Sequence, residues 1–149
     1  MELSVDQCRE IVAATGVTKL GADEARACVE LVRIAVDVDD REDSDEVVTA
    51  DALVAQVCAL ADIAVPPPAA LPRDDLERRA RLDALAAVLR GRPAGELAFA
   101  VAYLVTVADF AYAPEEMTFV NTVREVLEIS EERAREVASD VVELVTPGE

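Results

Sequence analysis

Histidine and tryptophan are absent from the 149 residues. Without histidine, a Ser–His or Cys–His nucleophile cannot form. The Glu-x-x-His pairs of carboxylate-bridged di-metal bundles are missing for the same reason. Cysteine is scarce: Cys8, Cys28 and Cys58 are widely spaced, with no CxxC. With no histidine beside them, a zinc site is not expected, and all three are expected as buried, reduced thiols. Five glycines leave no Gly-rich phosphate loop. Aromatics amount to 3%, so a carboxylate pair for glycoside hydrolysis would find few rings on which to stack a sugar. Basic residues number 14 against 31 acidic ones, giving a net charge of −17. Such a surface repels a nucleic-acid backbone and an anionic membrane. The longest apolar run, Leu97 to Ala108, is short of the roughly 20 residues that span a bilayer. Met1-Glu2-Leu3-Ser4 has neither the basic region nor the apolar run of a secretory peptide, so the expected location is cytoplasmic.

What is abundant is aliphatic. Hydrophobic residues make up 52% of the chain, chiefly Ala, Val and Leu, which argues against disorder and for closely packed helices. The length suits one domain with a real core. No stretch alternates with period two, and the expected fold is an all-α bundle of about seven helices.

The punctuation can be read in order. Ser4 to Gln7 has the form of a capping box, and that helix stops at Thr15-Gly16. A second helix begins near Ala22, with an apolar stripe through Ala27, Cys28, Leu31, Val32, Ile34, Ala35 and Val38. A third is capped by Asp43 or Ser44 and ends before Pro66-Pro67-Pro68. Asp74-Asp75-Leu76-Glu77 opens a fourth, closed by Gly91. Pro93 opens a fifth, apolar almost without interruption, around which the rest is organised. Pro114 opens a sixth, and Ser130 caps a last helix from Glu131 to Val145.

Two helix–corner–helix units share one layout. In the first, an apolar helix ends at Asp39 and Glu46 begins the next. In the second, an apolar helix ends at Asp109 and Glu116 begins the next. Leu31, Ile34 and Ala35 align with Val101, Leu104 and Val105. The first corner is dense in carboxylates, from Asp37 to Glu46, but it is not an EF-hand. Glu42 stands where the loop needs glycine, Val48 where it needs the bidentate Glu, and Arg41 where a ligand belongs.

Ala108-Asp109-Phe110-Ala111-Tyr112-Ala113-Pro114-Glu115-Glu116 resembles the corner motif of TerB-like tellurite-resistance proteins. Leu127-Glu128-Ile129 is similar to the apolar close that follows it, and Val38-Asp39 to Glu46 resembles a second copy. The motif's glycine is Asp40 in one copy and Phe110 in the other; its apolar position is Glu42 and Tyr112. The resemblance covers the whole chain. It implies a seven-helix fold of two related halves, a part in tellurite and other stress resistance, and paired acidic corners for a metal cation. Carried over position by position, the ligands would be Asp39, Glu46, Asp109 and Glu116, for a divalent cation such as Ca²⁺ or Mg²⁺. Direct binding of tellurite is not expected, because the net charge repels an anion.

Two readings of these carboxylates stand side by side. The aspartates cap and turn while the glutamates stabilise helix starts. Alternatively the four converge about a pseudo-twofold axis, where mutual repulsion raises their pKa and favours a cation. A non-enzymatic module is expected either way. Without metal, it would be a protein-interaction module, docking a partner through its acidic surface or through the helix rich in arginine (Arg78, Arg79, Arg81). Those arginines have a plainer use as well, neutralising acidic neighbours within the fold.

Overall fold

Six helices carry the described part of the chain: α1 (Ala22–Asp37), α2 (Ser44–Ala61), α3 (Asp75–Leu89), α4 (Pro93–Val107), α5 (Pro114–Val126) and α6 (Glu131–Val145). The computed structural model describes residues 9–10, 12–13, 15–17, 19–37, 44–67, 70–91, 93–107 and 114–145. For 36–37, 44–50, 93, 106–107, 114–117 and 144–145 it describes the backbone alone. No strand occurs among the described residues, so the all-α expectation holds. Of the about seven helices expected, six are described. Arg9, Glu10, Val12 and Ala13 are helical ahead of the turn at Thr15-Gly16, and the capping box Ser4–Gln7 lies outside the described residues.

The helix ends follow local chemistry. The Asp74 carboxylate accepts from the Glu77 amide at 2.8 Å, and Glu77 accepts in return from the Arg73 amide at 2.8 Å. One orphan donor at the start of α3 is thereby satisfied, and the Arg73 amide just ahead of the cap is bound as well. Gly91 ends the same helix at φ +74°, a left-handed conformation that glycine reaches without Cβ strain. Before α1, Glu24 reaches back to the Gly21 amide at 3.0 Å. Ser130 accepts from the Arg133 amide at 3.1 Å and so caps α6.

Helix α4 is the axis of the molecule. It packs against each of the other five described helices. Leu97, Ala98, Phe99, Ala100, Val101, Ala102, Leu104 and Val105 are all buried, so it is covered on every side. Its small residues let neighbours come close. A Cβ added at Gly95 would lie 2.8 Å from the Leu89 carbonyl oxygen, so glycine is what allows the end of α3 to approach the start of α4. One apolar cluster, drawing on residues from Val12 to Val141, forms the core.

The helix ends recur at one offset along the chain. α1 ends at Asp37 and α4 at Val107; α2 begins at Ser44 and α5 at Pro114, each 70 residues on. At the same offset, Ala27, Cys28, Val29, Leu31, Val32, Ile34 and Ala35 are buried in α1, and Leu97, Ala98, Phe99, Val101, Ala102, Leu104 and Val105 in α4. The helices that follow close alike. The Ile63 amide donates to the Cys58 carbonyl at 3.1 Å, and the Ile129 amide to the Arg124 carbonyl at 3.1 Å, each five residues back. The residue before each isoleucine is left-handed: Asp62 at φ +54° and Glu128 at φ +57°. This is a Schellman close, with the isoleucine side chain folded onto the core. The two closes are 66 residues apart, and α2, with 18 residues against 13 in α5, is longer by more than one helical turn.

Candidate functional site

Two packed helices lead into the acidic corners. α1 and α4 lie against each other, and each hands over to a helix seven residues further on. Asp39 and Asp109 lie outside the described residues. Glu46 and Glu116 fall in the first turns of α2 and α5, where a carboxylate complements the helix dipole. Their side chains lie outside what is described. Among the described residues, no three Asp, Glu or Cys side chains gather into a group that could hold a metal ion.

The arginine-rich helix can be followed contact by contact. On one flank of α3, Arg81 pairs with Glu30 of α1 through Nε and Nη2. On the other, Arg79 lies 3.6 Å from Asp83 and 3.9 Å from Glu125 of α5. Arg90 donates through Nε to the Val126 carbonyl at 2.9 Å, and the same nitrogen is 3.5 Å from Glu128. Arg78 pairs with Asp75 at 3.1 Å. Arg79, Arg81 and Arg90 therefore link α3 to α1 and α5, while Arg78 pairs within α3, the plainer of their two expected uses. The sequence could not show it, because Glu30 and Arg81 are 51 residues apart.

Two concave surfaces flank this helix. Between α3 and α5 runs an open groove of about 550 Å³, walled by Arg78, Arg79, Thr118 and Thr122 over a floor of Leu82 and Phe119. Leu76, 82% exposed, stands on the same helix. Between α1, α3 and the proline connector lies a smaller crevice of about 140 Å³ into which Arg26, Arg33 and Arg81 all turn. Arg33 is anchored there by donating to the Pro66 carbonyl at 2.7 Å and the Pro67 carbonyl at 3.2 Å. Sequence reading passed over Arg26 and Arg33. The available signal was a basic residue interrupting the apolar stripe of α1.

The thiols have no catalytic setting. Cys28 and Cys58 are free and buried. Burial pushes Cys28 up to about 12, with the Glu24 charge adding to the effect. Burial also raises Cys58, against the opposing charge of Arg33. A thiol held neutral is a poor nucleophile and a poor metal ligand. Cys8 lies outside the described residues.

A further charge pair joins α6 to α4. Arg133 of α6 donates through Nε to both oxygens of Glu96 on α4, and through Nη1 to Glu136 at 2.8 Å. Those hydrogen bonds, Glu96 first and Glu136 second, hold its guanidinium above the ordinary arginine pKa.

No helix among the described residues is long and apolar enough to cross a membrane. Comparison with protein-family models, with curated proteins and with solved structures finds no match to this chain.

Proposed function

We propose that the chain is a non-enzymatic, acidic, all-helical module of TerB-like type. Its two corners would hold one divalent cation, Ca²⁺ or Mg²⁺, between Asp39, Glu46, Asp109 and Glu116. Such a module would act in a stress response of the tellurite-resistance kind. The observation that carries this reading is the 70-residue recurrence of helix ends and buried positions around both corners. It supports equivalent roles for the two Asp–Glu pairs, and α1 and α4, which lead into them, are in contact. Four carboxylates suit a hard cation that takes oxygen ligands, and the cation would offset their mutual repulsion.

Thermal unfolding of metal-stripped protein tests it, with Ca²⁺, Mg²⁺ and Mn²⁺ at fixed ionic strength. A specific site gives a large rise for one cation, because a ligand at a hundredfold excess over Kd stabilises the native state by about 2.7 kcal/mol. Asp39→Asn with Asp109→Asn should abolish that rise. Equal small rises for all cations, kept by the double variant, would mean general screening and would sink the reading.

A second reading, an interaction module without metal, has its own support. One face of α6 exposes Glu132, Glu136, Asp140 and Glu143, spaced so that they line up along the helix. Such an acidic stripe suits a basic protein partner. The arginine-rich helix suits this role less well, since its arginines pair within the fold.

A further inference from the structure

The crevice between α1, α3 and the proline connector runs against the charge of the whole molecule. Its ionisable lining is Arg26, Arg33, Arg81 and Glu30, a local charge of +2 in a chain of −17. The remaining walls are apolar, Val29 and Leu71 among them. Glu30 is engaged by Arg81, and Arg26 has only an exposed partner, Asp23, at 3.3 Å. Exposed pairs of that kind are weak and exchange readily.

Arg33 differs from both. Its two terminal nitrogens donate to the Pro66 and Pro67 carbonyls, which are neutral acceptors. The guanidinium is thus fixed in orientation, and among the described residues no carboxylate forms an ion pair with it. Arginine is suited to such a site because it stays ionised and its planar donors match the oxygens of a phosphate. A volume of about 140 Å³ equals a few waters at about 30 Å³ each, enough for one tetrahedral oxyanion. The net charge works against an anion at long range, but at physiological ionic strength that repulsion is screened over about 8 Å.

We propose that this crevice binds a phosphate-type oxyanion, free or as the end group of a small phosphate monoester, held by Arg33 with Arg26 and Arg81. Arg33 provides the fixed charge. Arg26 leaves Asp23 to close on the ligand, and Arg81 is steadied by Glu30. In the monoester, Val29 and Leu71 would face the carbon skeleton.

The test is an NMR titration of the full chain with inorganic phosphate and, separately, glycerol phosphate, against sodium chloride at matched ionic strength. Saturable shifts of the Arg26, Arg33 and Arg81 signals are expected at millimolar ligand. Arg33→Gln should weaken binding tenfold or more, and Arg26→Gln severalfold. Arg135→Gln, which removes the same charge from the exposed side of α6, should leave it unchanged. If Arg33→Gln fails to fold, Arg26→Gln decides, since its side chain is exposed and joins no other helix. Saturation by both ligands with equal affinity assigns recognition to the oxyanion alone; tighter binding of the monoester assigns its apolar part to the crevice wall. Absence of saturation, equal shifts with chloride, or an equal loss in Arg135→Gln overturns the proposal.

Discussion

Arg133 and Glu96 join the last helix to the central one: the arginine Nε lies 3.0 Å from one carboxylate oxygen and 2.7 Å from the other. Both side chains are partly exposed, so solvent discounts the attraction. A double-mutant cycle of Arg133→Ala with Glu96→Ala, read by urea unfolding, should give a coupling of about 1 kcal/mol or less. The coupling should shrink at 1 M salt, where the screening length falls to about 3 Å. A coupling indifferent to salt would show that packing of the arginine stem, and not charge, holds α6.

Glycine at position 95 should be hard to replace. The Leu89 carbonyl oxygen would sit 2.8 Å from a new Cβ, and backbone must move to relieve it. Gly95→Ala is expected to cost about 1–3 kcal/mol in chemical denaturation, the usual range for overpacking. Gly91→Ala meets no neighbour and is penalised only by its φ of +74°, roughly 1–2 kcal/mol.

The left-handed residues Asp62 and Glu128 invite the opposite change. Each sits where helices usually place glycine. Asp62→Gly and Glu128→Gly should each raise stability by roughly 0.5–1 kcal/mol, relief of the Cβ strain exceeding the entropy lost from the unfolded chain. Urea midpoints of the two variants should move together, because the two closes share one hydrogen-bond pattern.

Alkali should unfold the protein partly through its thiols. Cys28 stays neutral in the native state up to about pH 12, whereas an unfolded cysteine ionises from about pH 8.5. The folded pKa is the higher, so the contribution is fully present below the unfolded value and is lost as pH rises towards 12. Unfolding free energy followed from pH 8 to 11 should fall, and fall less in Cys28→Ala relative to that variant's own value at pH 8. At pH 8, Cys28 and Cys58 should react with a thiol reagent only as fast as the chain opens.

Much of the fold was legible because its punctuation is local. Asp74, Ser130, Gly16 and Gly91 act within one turn of where they stand, and their roles follow from residue type. The central helix was legible from apolar residues on all its faces. Less visible were the ends of α2 and α5, where Asp62 and Glu128 do what glycine would signal. The arginine crevice was hidden for another reason. It joins Arg26 and Arg33 of α1 to Arg81 of α3 and to a connector between them, and no spacing along the chain reports that meeting. For the acidic corners, the sequence repeat and the recurring helix ends agree, while Asp39 and Asp109 stay outside the described residues.

The position of α4 along the chain has a consequence for synthesis. A ribosome adds about 5–20 residues per second and releases the amino-terminal part first. The buried face of α1 is complete by Asp37, yet α4, one of the helices it packs against, ends at Val107. For several seconds the nascent chain carries Val29, Val32 and Ile34 without that cover. A net charge of −17 works against association of such chains through that uncovered apolar face.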